Sequence, residues 1–212
     1  MRLACLFSGG KDSTYAVFWA MAQGHEPVLL TVKPEPYSMM FHHPNIEFTG
    51  LQAEAMGLEQ KIIEVKENDW EEKLTEALKE MKAEGLVAGA VASEYQRRRF
   101  EKVCESLNIP AYSPLWHKKE DTLKEMLEYM EVYITAVSAE GLGKEWLGKK
   151  LDELLEKKPE NIDAFLEGGE GETFVADAPF FKKRIVIKDW EIGWDGVRGV
   201  AKIKDATIEN KI

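Results

Sequence analysis

The chain has 212 residues and carries 28 Lys+Arg against 38 Asp+Glu, a net charge of −10. At 44% hydrophobic and 31% charged it has the composition of a globular protein with material for a real core, which excludes disorder for the bulk of it. The acidic balance disfavours a grip on nucleic acid backbones. No apolar run approaches the roughly 20 residues of a membrane span, and two cysteines without Cys-x-x-Cys spacing exclude a paired-cysteine zinc site. The expectation is a cytoplasmic protein with no membrane association and no stable nucleic acid binding.

In chain order, Leu3–Phe7 is a short apolar run that reads as a buried strand, and the spacing predicts a helix over Ser13–Gln23 ending near Gly24. Pro27–Val32 reads as a second strand, broken by Pro34 and Pro36. A loop with Met39–His43 follows, then a helix over about Asn45–Met56 closed by Gly57. Ile62–Val65 is a third strand, Glu71–Glu84 a charged helix stopped by Gly85, Leu86–Ala92 a fourth strand, Arg97–Leu107 a helix, and Ala111–Trp116 a fifth strand. This alternation predicts an α/β fold, a Rossmann-like parallel five-stranded sheet with helices on both faces. Beyond it, Asp121–Tyr129 is helical, Glu131–Ser138 strand-like and Leu151–Lys157 helical, while Arg184–Ile208 alternates around Gly193, Gly196 and Gly199 as antiparallel strands with tight turns do. The expected division is residues 1–120 as a nucleotide-binding domain and 121–212 as a smaller C-terminal α+β domain that binds or caps substrate.

Ser8-Gly9-Gly10-Lys11-Asp12-Ser13 lies where the first strand passes into the first helix. Ligands of open α/β sheets bind at the carboxyl ends of strands, glycines admit a phosphate close to the backbone, and N–H groups at a helix start point at it. Lys11 adds charge, and Ser8 and Ser13 add hydroxyls. Walker A is excluded because Cys5 and Asp12 stand where it needs Gly and Ser or Thr. At background frequencies S-G-G-x-D-S is expected in only about 1 in 10⁴ chains of this length.

Ser8–Ser13 resembles the PP-motif of the N-type ATP pyrophosphatases, a HUP-type fold. The resemblance implies cleavage of ATP between its α and β phosphates, AMP and pyrophosphate as products, and Mg²⁺ to neutralise departing charge. It places Asp12 near that metal or the loop backbone; as a helix-start residue favoured by the dipole, Asp12 is equally at home. Further blocks resemble the diphthine–ammonia ligases within that superfamily: Gly89–Gln96 followed by Arg99, Glu101, Val103 and Cys104; Pro114-Leu115-Trp116; Glu167–Thr173 with Asp177–Phe181; and Met40-Phe41-His42. The likeness spans residues 1 to about 181 and departs at Leu166, where Gly is common, and at His43, where Thr is.

What this implies is an ATP-dependent, AMP-forming amide ligase that converts diphthine on translation elongation factor 2 to diphthamide with ammonia, through an acyl-adenylate. Lys11, Asp12, Glu170 and Glu172 are the implied catalytic residues, with Asp12 toward metal. Ser8, Gly9, Gly10, Lys11, Asp12, Ser13, Gly89 and Ser93 would bind ATP. His42, Tyr95, Gln96, Arg99, Trp116, Glu167 and Thr173 would meet substrate, the aromatic faces of Tyr95 and Trp116 suiting a trimethylammonium. Each has a plainer alternative: Glu167, Glu170 and Glu172 as a solvated acidic loop, the aromatics as packing, His42 with His43 as a surface pair. Arg97 and Arg98 read as solvent-facing, and Cys104 as core. Free ammonia is the expected nitrogen source unless another protein delivers it, and a homodimer is admitted. The rival readings are a PP-motif tRNA-modifying enzyme and a non-catalytic ATP-binding regulator.

Overall fold

The computed structural model describes residues 1–34, 44–157 and 159–211, with Gln96 by its backbone alone. The block holding Met40, Phe41, His42 and His43 lies outside the described residues. In chain order the elements are β1 (Arg2–Leu6), α1 (Lys11–Ala22), β2 (Glu26–Pro34), α2 (Thr49–Met56), β3 (Gln60–Val65), α3 (Trp70–Glu80), β4 (Gly85–Val87), α4 (Glu94–Leu107), β5 (Ala111–Tyr112), α5 (Glu120–Tyr129), β6 (Glu131–Val137), α6 (Leu151–Leu155), β7 (Gly171–Asp177), β8 (Lys183–Trp194) and β9 (Gly199–Asn210). They group into two compact units. One is Met1–Ser8, Asp12–Ile46 and Leu58–His117; the other is Gly9–Lys11, Glu47–Gly57 and Lys118–Ile212.

The first unit is built on a parallel sheet in the order β3-β2-β1-β4-β5. Along its strands Ala4, Val28, Leu30, Val32 and Leu86 turn to one face and, with Ala88 just past β4, pack with Trp70, Leu74 and Leu78 of α3 and Phe100, Val103 and Cys104 of α4. Leu3, Cys5 and Leu29, one step out of phase, are also fully buried and face the other side. Right-handed crossovers leave β1 and β3 in opposite directions across the sheet, so α1 covers that second face; its Ala16, Val17 and Ala20 have no exposed surface. Burial of this kind contributes about 1.5–3 kcal/mol per large apolar side chain, which is why these strands read as unbroken apolar runs. The Rossmann-like sheet flanked by helices is therefore as expected.

Several boundaries differ. β4 stops at Val87 and β5 at Tyr112, so Ala88–Ala92 and Ser113–Trp116 are not strand; the Trp116 N–H closes a turn on the Ser113 carbonyl at 3.1 Å. α3 ends before Gly85 because Lys82 takes a left-handed φ of 52° while Ala83 N–H reaches the Leu78 carbonyl and Lys82 N–H that of Lys79, a Schellman ending. The helix expected from Asn45 begins instead as a 3-10 turn at Ile46–Phe48, after Asn45 with a φ of 70°.

The second unit carries an antiparallel sheet in the order β7-β6-β9-β8. α2 packs on β8 and β9, and α6 on β6 and α5. β7 was not anticipated: the acidic, Gly-rich stretch runs straight into a strand whose Phe174, Val175 and Ala176 are buried. The C-terminal strands form one hairpin with a single turn at Asp195–Arg198, and Gly193 pairs with Val200 within the ladder. Among the described residues no helix is long and apolar enough to cross a membrane.

Candidate active site

β1 lies between β2 and β4, and the chain leaves its carboxyl end toward β2 on one side while β4 and β5 extend the sheet on the other. That is the switch point at which open α/β sheets bind ligands, and the residues there are Ser8–Ser13 and Ala88–Ser93. The two loops touch backbone to backbone. A Cβ on Gly89 would stand 2.5 Å from the Asp12 carbonyl carbon and oxygen and 2.7 Å from Ser13 N, so only glycine fits. Ser8 donates through its N–H and its hydroxyl toward Ser13 Oγ, each at 3.3 Å. Asp12 is half-buried, and Ser13 is 7% exposed. Ser93 precedes α4, its carbonyl accepting from Arg97 N–H at 3.1 Å.

Farther along α4, Tyr95 is 63% exposed, and Arg99 is already engaged. The Arg99 guanidinium lies 4.5 Å from the Trp70 ring and 5.1 Å from the Tyr95 ring, donates to the Tyr95 hydroxyl, and pairs with Glu71 at 3.3 Å. Trp116 has the Arg97 guanidinium at 4.4 Å over its ring and the His117 ring at 4.5 Å. Arg97 is thus half-buried on Trp116 and paired with Glu101 at 2.7 Å rather than solvent-facing as expected; Arg98 is exposed, with Glu94 at 3.0 Å. The side chain of Gln96 is outside the described residues.

Gly9–Lys11 belongs to the second unit. Gly9 has a φ of 84°, a left-handed backbone natural to glycine. Its carbonyl accepts from Val175 N–H at 3.0 Å and from Gln52 Nε2 at 2.8 Å. Lys11 N–H donates to Thr173 Oγ1 at 3.1 Å. Lys11 itself is 3% exposed, with its ammonium 5.7 Å from the Phe165 ring. The acidic stretch braces that ring. Glu170 carboxylate accepts from Asp163 N–H at 2.8 Å, Asp163 carboxylate from Phe165 N–H at 2.9 Å, and Ser138 donates to the Gly169 carbonyl. Glu167 and Glu172 are half-buried. Leu166, at the departure from the family pattern, is 3% exposed and left-handed at φ 58°.

The chain matches two family models, the diphthamide synthase N-terminal domain over residues 1–110 and the diphthamide synthase C-terminal domain over residues 118–208. It is 38% identical to a Bos taurus protein named diphthine–ammonia ligase, over 91% of this chain and 85% of the relative. The Homo sapiens protein of that name is 36% identical over the same shares. A solved structure, the predicted subunit of tRNA methyltransferase from Methanocaldococcus jannaschii DSM, resembles it with a TM-score of 0.49 at 18% identity, over 84% of this chain and 97% of that one; a likeness of that size bears on nothing further. The chain belongs to the diphthamide synthase family.

In this chain neither cysteine is fit for nucleophilic work. Burial pushes the Cys5 thiol up to about 12, and burial, then Glu101, pushes Cys104 up to about 11, so thiolate is scarce near neutral pH. Cys104 sits in the core as expected. The residue that sequence reading passed over is Gln52. It has no exposed surface and reaches both Gly9 and Val175. The available signal was spacing, since Thr49, Gln52, Ala53 and Met56 form the buried stripe of α2.

Proposed function

We propose that this member of the diphthamide synthase family is a diphthine–ammonia ligase, using ATP to amidate the carboxylate of diphthine on translation elongation factor 2. The observation that carries the reading is a phosphate-cradling sequence, Ser8–Ser13, seated at the switch point against Gly89 in a chain matched by both halves of the family. In the first step a diphthine carboxylate oxygen attacks the α phosphorus, the bond to the β phosphate breaks, and pyrophosphate leaves. In the second, ammonia attacks the acyl carbon, AMP leaves and a proton is shed. Residues 1–120 are read as binding the nucleotide and 121–212 as binding or capping the substrate.

Ser8, Gly9, Gly10, Lys11, Asp12, Ser13, Gly89 and Ser93 are the proposed ATP contacts, with Lys11 holding phosphate charge through the transfer. Its burial supports this, because a desolvated cation acts more strongly on a phosphate than an exposed one. Glu170 and Glu172 are proposed to act on the ammonia step, and Tyr95, Gln96, Arg99, Trp116, Glu167, Thr173 and His42 to meet the diphthine side. Mg²⁺ would neutralise the departing pyrophosphate. Asp12 is the carboxylate of the loop, and among the described residues no group of three or more His, Cys, Asp or Glu side chains could hold a metal. One carboxylate plus substrate phosphates is a donor set that suits Mg²⁺.

The test is incubation with ATP, Mg²⁺, ammonium and elongation factor 2 bearing diphthine. AMP and pyrophosphate should form in step with a carboxylate-to-amide mass change, and only when diphthine is present. AMP without amide would point to another acceptor, and ADP would remove the pyrophosphatase reading.

A further inference from the structure

Gln52 projects from α2 with none of its surface exposed, and its Nε2 group makes two hydrogen bonds, to the Gly9 carbonyl and to the Val175 carbonyl of β7, both at 2.8 Å. Two acceptors on one side of the amide settle which end is nitrogen, since the reverse orientation would set oxygen against two oxygens. The amide oxygen is buried without a hydrogen-bond donor among the described residues, and it lies 2.3 Å from where a Cβ on Gly9 would stand. Gly9 is therefore glycine for two reasons, its left-handed backbone and the space taken by Gln52.

The Gly9 carbonyl receives Gln52 from one element and Val175 N–H from another. No cis peptide bond occurs among the described residues. A trans peptide is planar, with its N–H directed opposite to its C=O, so holding the Gly9 carbonyl toward Gln52 and Val175 turns Gly10 N–H the other way. Lys11 N–H is meanwhile drawn to Thr173 Oγ1, so successive amides of the loop are oriented by α2 and β7 rather than by the loop's own sequence.

We infer that Gln52 is a positioning residue for ATP: by clamping the Gly9 carbonyl to β7 it fixes the course of the loop backbone that meets the phosphate chain. The inference rests on the proposed reading of Ser8–Ser13 as the ATP loop. Its test uses the full chain and Mg–ATP alone, by calorimetric titration, on wild type, Gln52→Met and Gln52→Glu. Met keeps the volume and removes the donors. Its Kd for Mg–ATP should rise roughly 10-fold to 100-fold, as expected for losing buried donors to a loop. Glu at about pH 8 sets a carboxylate against two carbonyl oxygens, but its protonated form donates one hydrogen bond. Its affinity relative to wild type should recover as pH falls toward about 5.5, while the Met-to-wild-type ratio stays flat. A residue that merely packs would lower the melting temperature of both variants and leave folded-state ATP affinity within about 2-fold of wild type, and that result would overturn the inference. Should the variants not fold, the wild-type Gln52 side-chain amide protons decide. They should shift on Mg–ATP addition while those of Gln23 do not, and no shift at Gln52 sinks the idea. Wild type that binds Mg–ATP but forms no amide would remove the ligase reading and leave these affinities to decide on Gln52; wild type that binds no Mg–ATP would remove both.

Discussion

The Ser8–Ser13 loop is held in two physically different ways, one at Asp12 and Ser13 and the other at Gly9 and Lys11. At Asp12 and Ser13 the constraint is space: Gly89 lets two backbones meet, and the contacts from Ser8 to Ser13 Oγ are long at 3.3 Å. At Gly9 and Lys11 the constraint is a set of buried, directional hydrogen bonds of 2.8–3.1 Å from Gln52, Val175 and Thr173. Space is all or nothing, because a single methyl must displace a backbone. Hydrogen bonds can be lost one at a time and partly replaced. The two halves should therefore fail differently under substitution.

The largest effect is expected where space decides. In Gly89→Ala the new methyl overlaps Asp12 and Ser13, so the loops must separate. Misplacement of a reacting group by about 1 Å costs on the order of 100-fold, and AMP release should fall at least that far. Activity close to wild type would show that contact between these loops is dispensable. Leu166→Gly asks the same question of strain. Glycine relieves a left-handed backbone worth about 1–2 kcal/mol, but emptying a buried leucine site costs about 2–5 kcal/mol. Net destabilisation of about 1–3 kcal/mol in denaturant unfolding is expected, and a stabilised variant would mean the strain outweighs the packing.

Next comes a hydrogen bond that can be returned. Thr173→Val keeps the shape and takes the acceptor from Lys11 N–H. Leaving a buried amide without its partner costs about 1–3 kcal/mol, so KM for ATP should rise roughly 10-fold, and Thr173→Ser should restore most of it. If Val and Ser behave alike, the hydroxyl is not what orients Lys11.

These contrasts also mark what could be read in the amino-acid sequence. Strands buried on both faces announce themselves, as Leu3–Phe7 and Pro27–Val32 do, because every residue but Thr31 is apolar. Leu86–Ala92 reads as one strand because Ala88–Ala92 has the same small apolar composition as β4, yet the strand ends at Val87, two residues before Gly89 meets Asp12. β7 was hidden behind three glutamates, its buried Phe174-Val175-Ala176 too short a run to signal a strand alone. The phosphate loop was legible because its glycines, lysine and serines are contiguous. Its supports were not. Gln52, Val175 and Thr173 lie 43 or more residues from the loop atoms they bind, and Arg97 stacks on Trp116, well beyond the end of its own helix in the chain. A buried glutamine differs from a surface one only in its tertiary partners.

The smallest effect belongs to a turn that uses the device of Gln52 in open water. Asp195 Oδ1 accepts the N–H groups of Val197 at 2.9 Å and Arg198 at 2.8 Å at the tip of the β8–β9 hairpin. Those bonds, Arg198 first and Val197 second, hold its carboxyl below the ordinary value of 3.8. A depressed folded-state value means the stabilisation is present above the unfolded value and is lost as pH falls through the lower folded one. Titration followed by NMR should therefore give Asp195 a midpoint below 3.8, with the Val197 and Arg198 amides shifting in the same step. Asp195→Asn keeps an acceptor for both amides but carries no titrating charge, so its hairpin tip should be indifferent to that pH range. Water replaces a lost acceptor here as it cannot at Gln52, so activity should be untouched in either case. A midpoint at or above 3.8 would mean the two amides do not stabilise the charge, and the likeness to Gln52 would end at geometry.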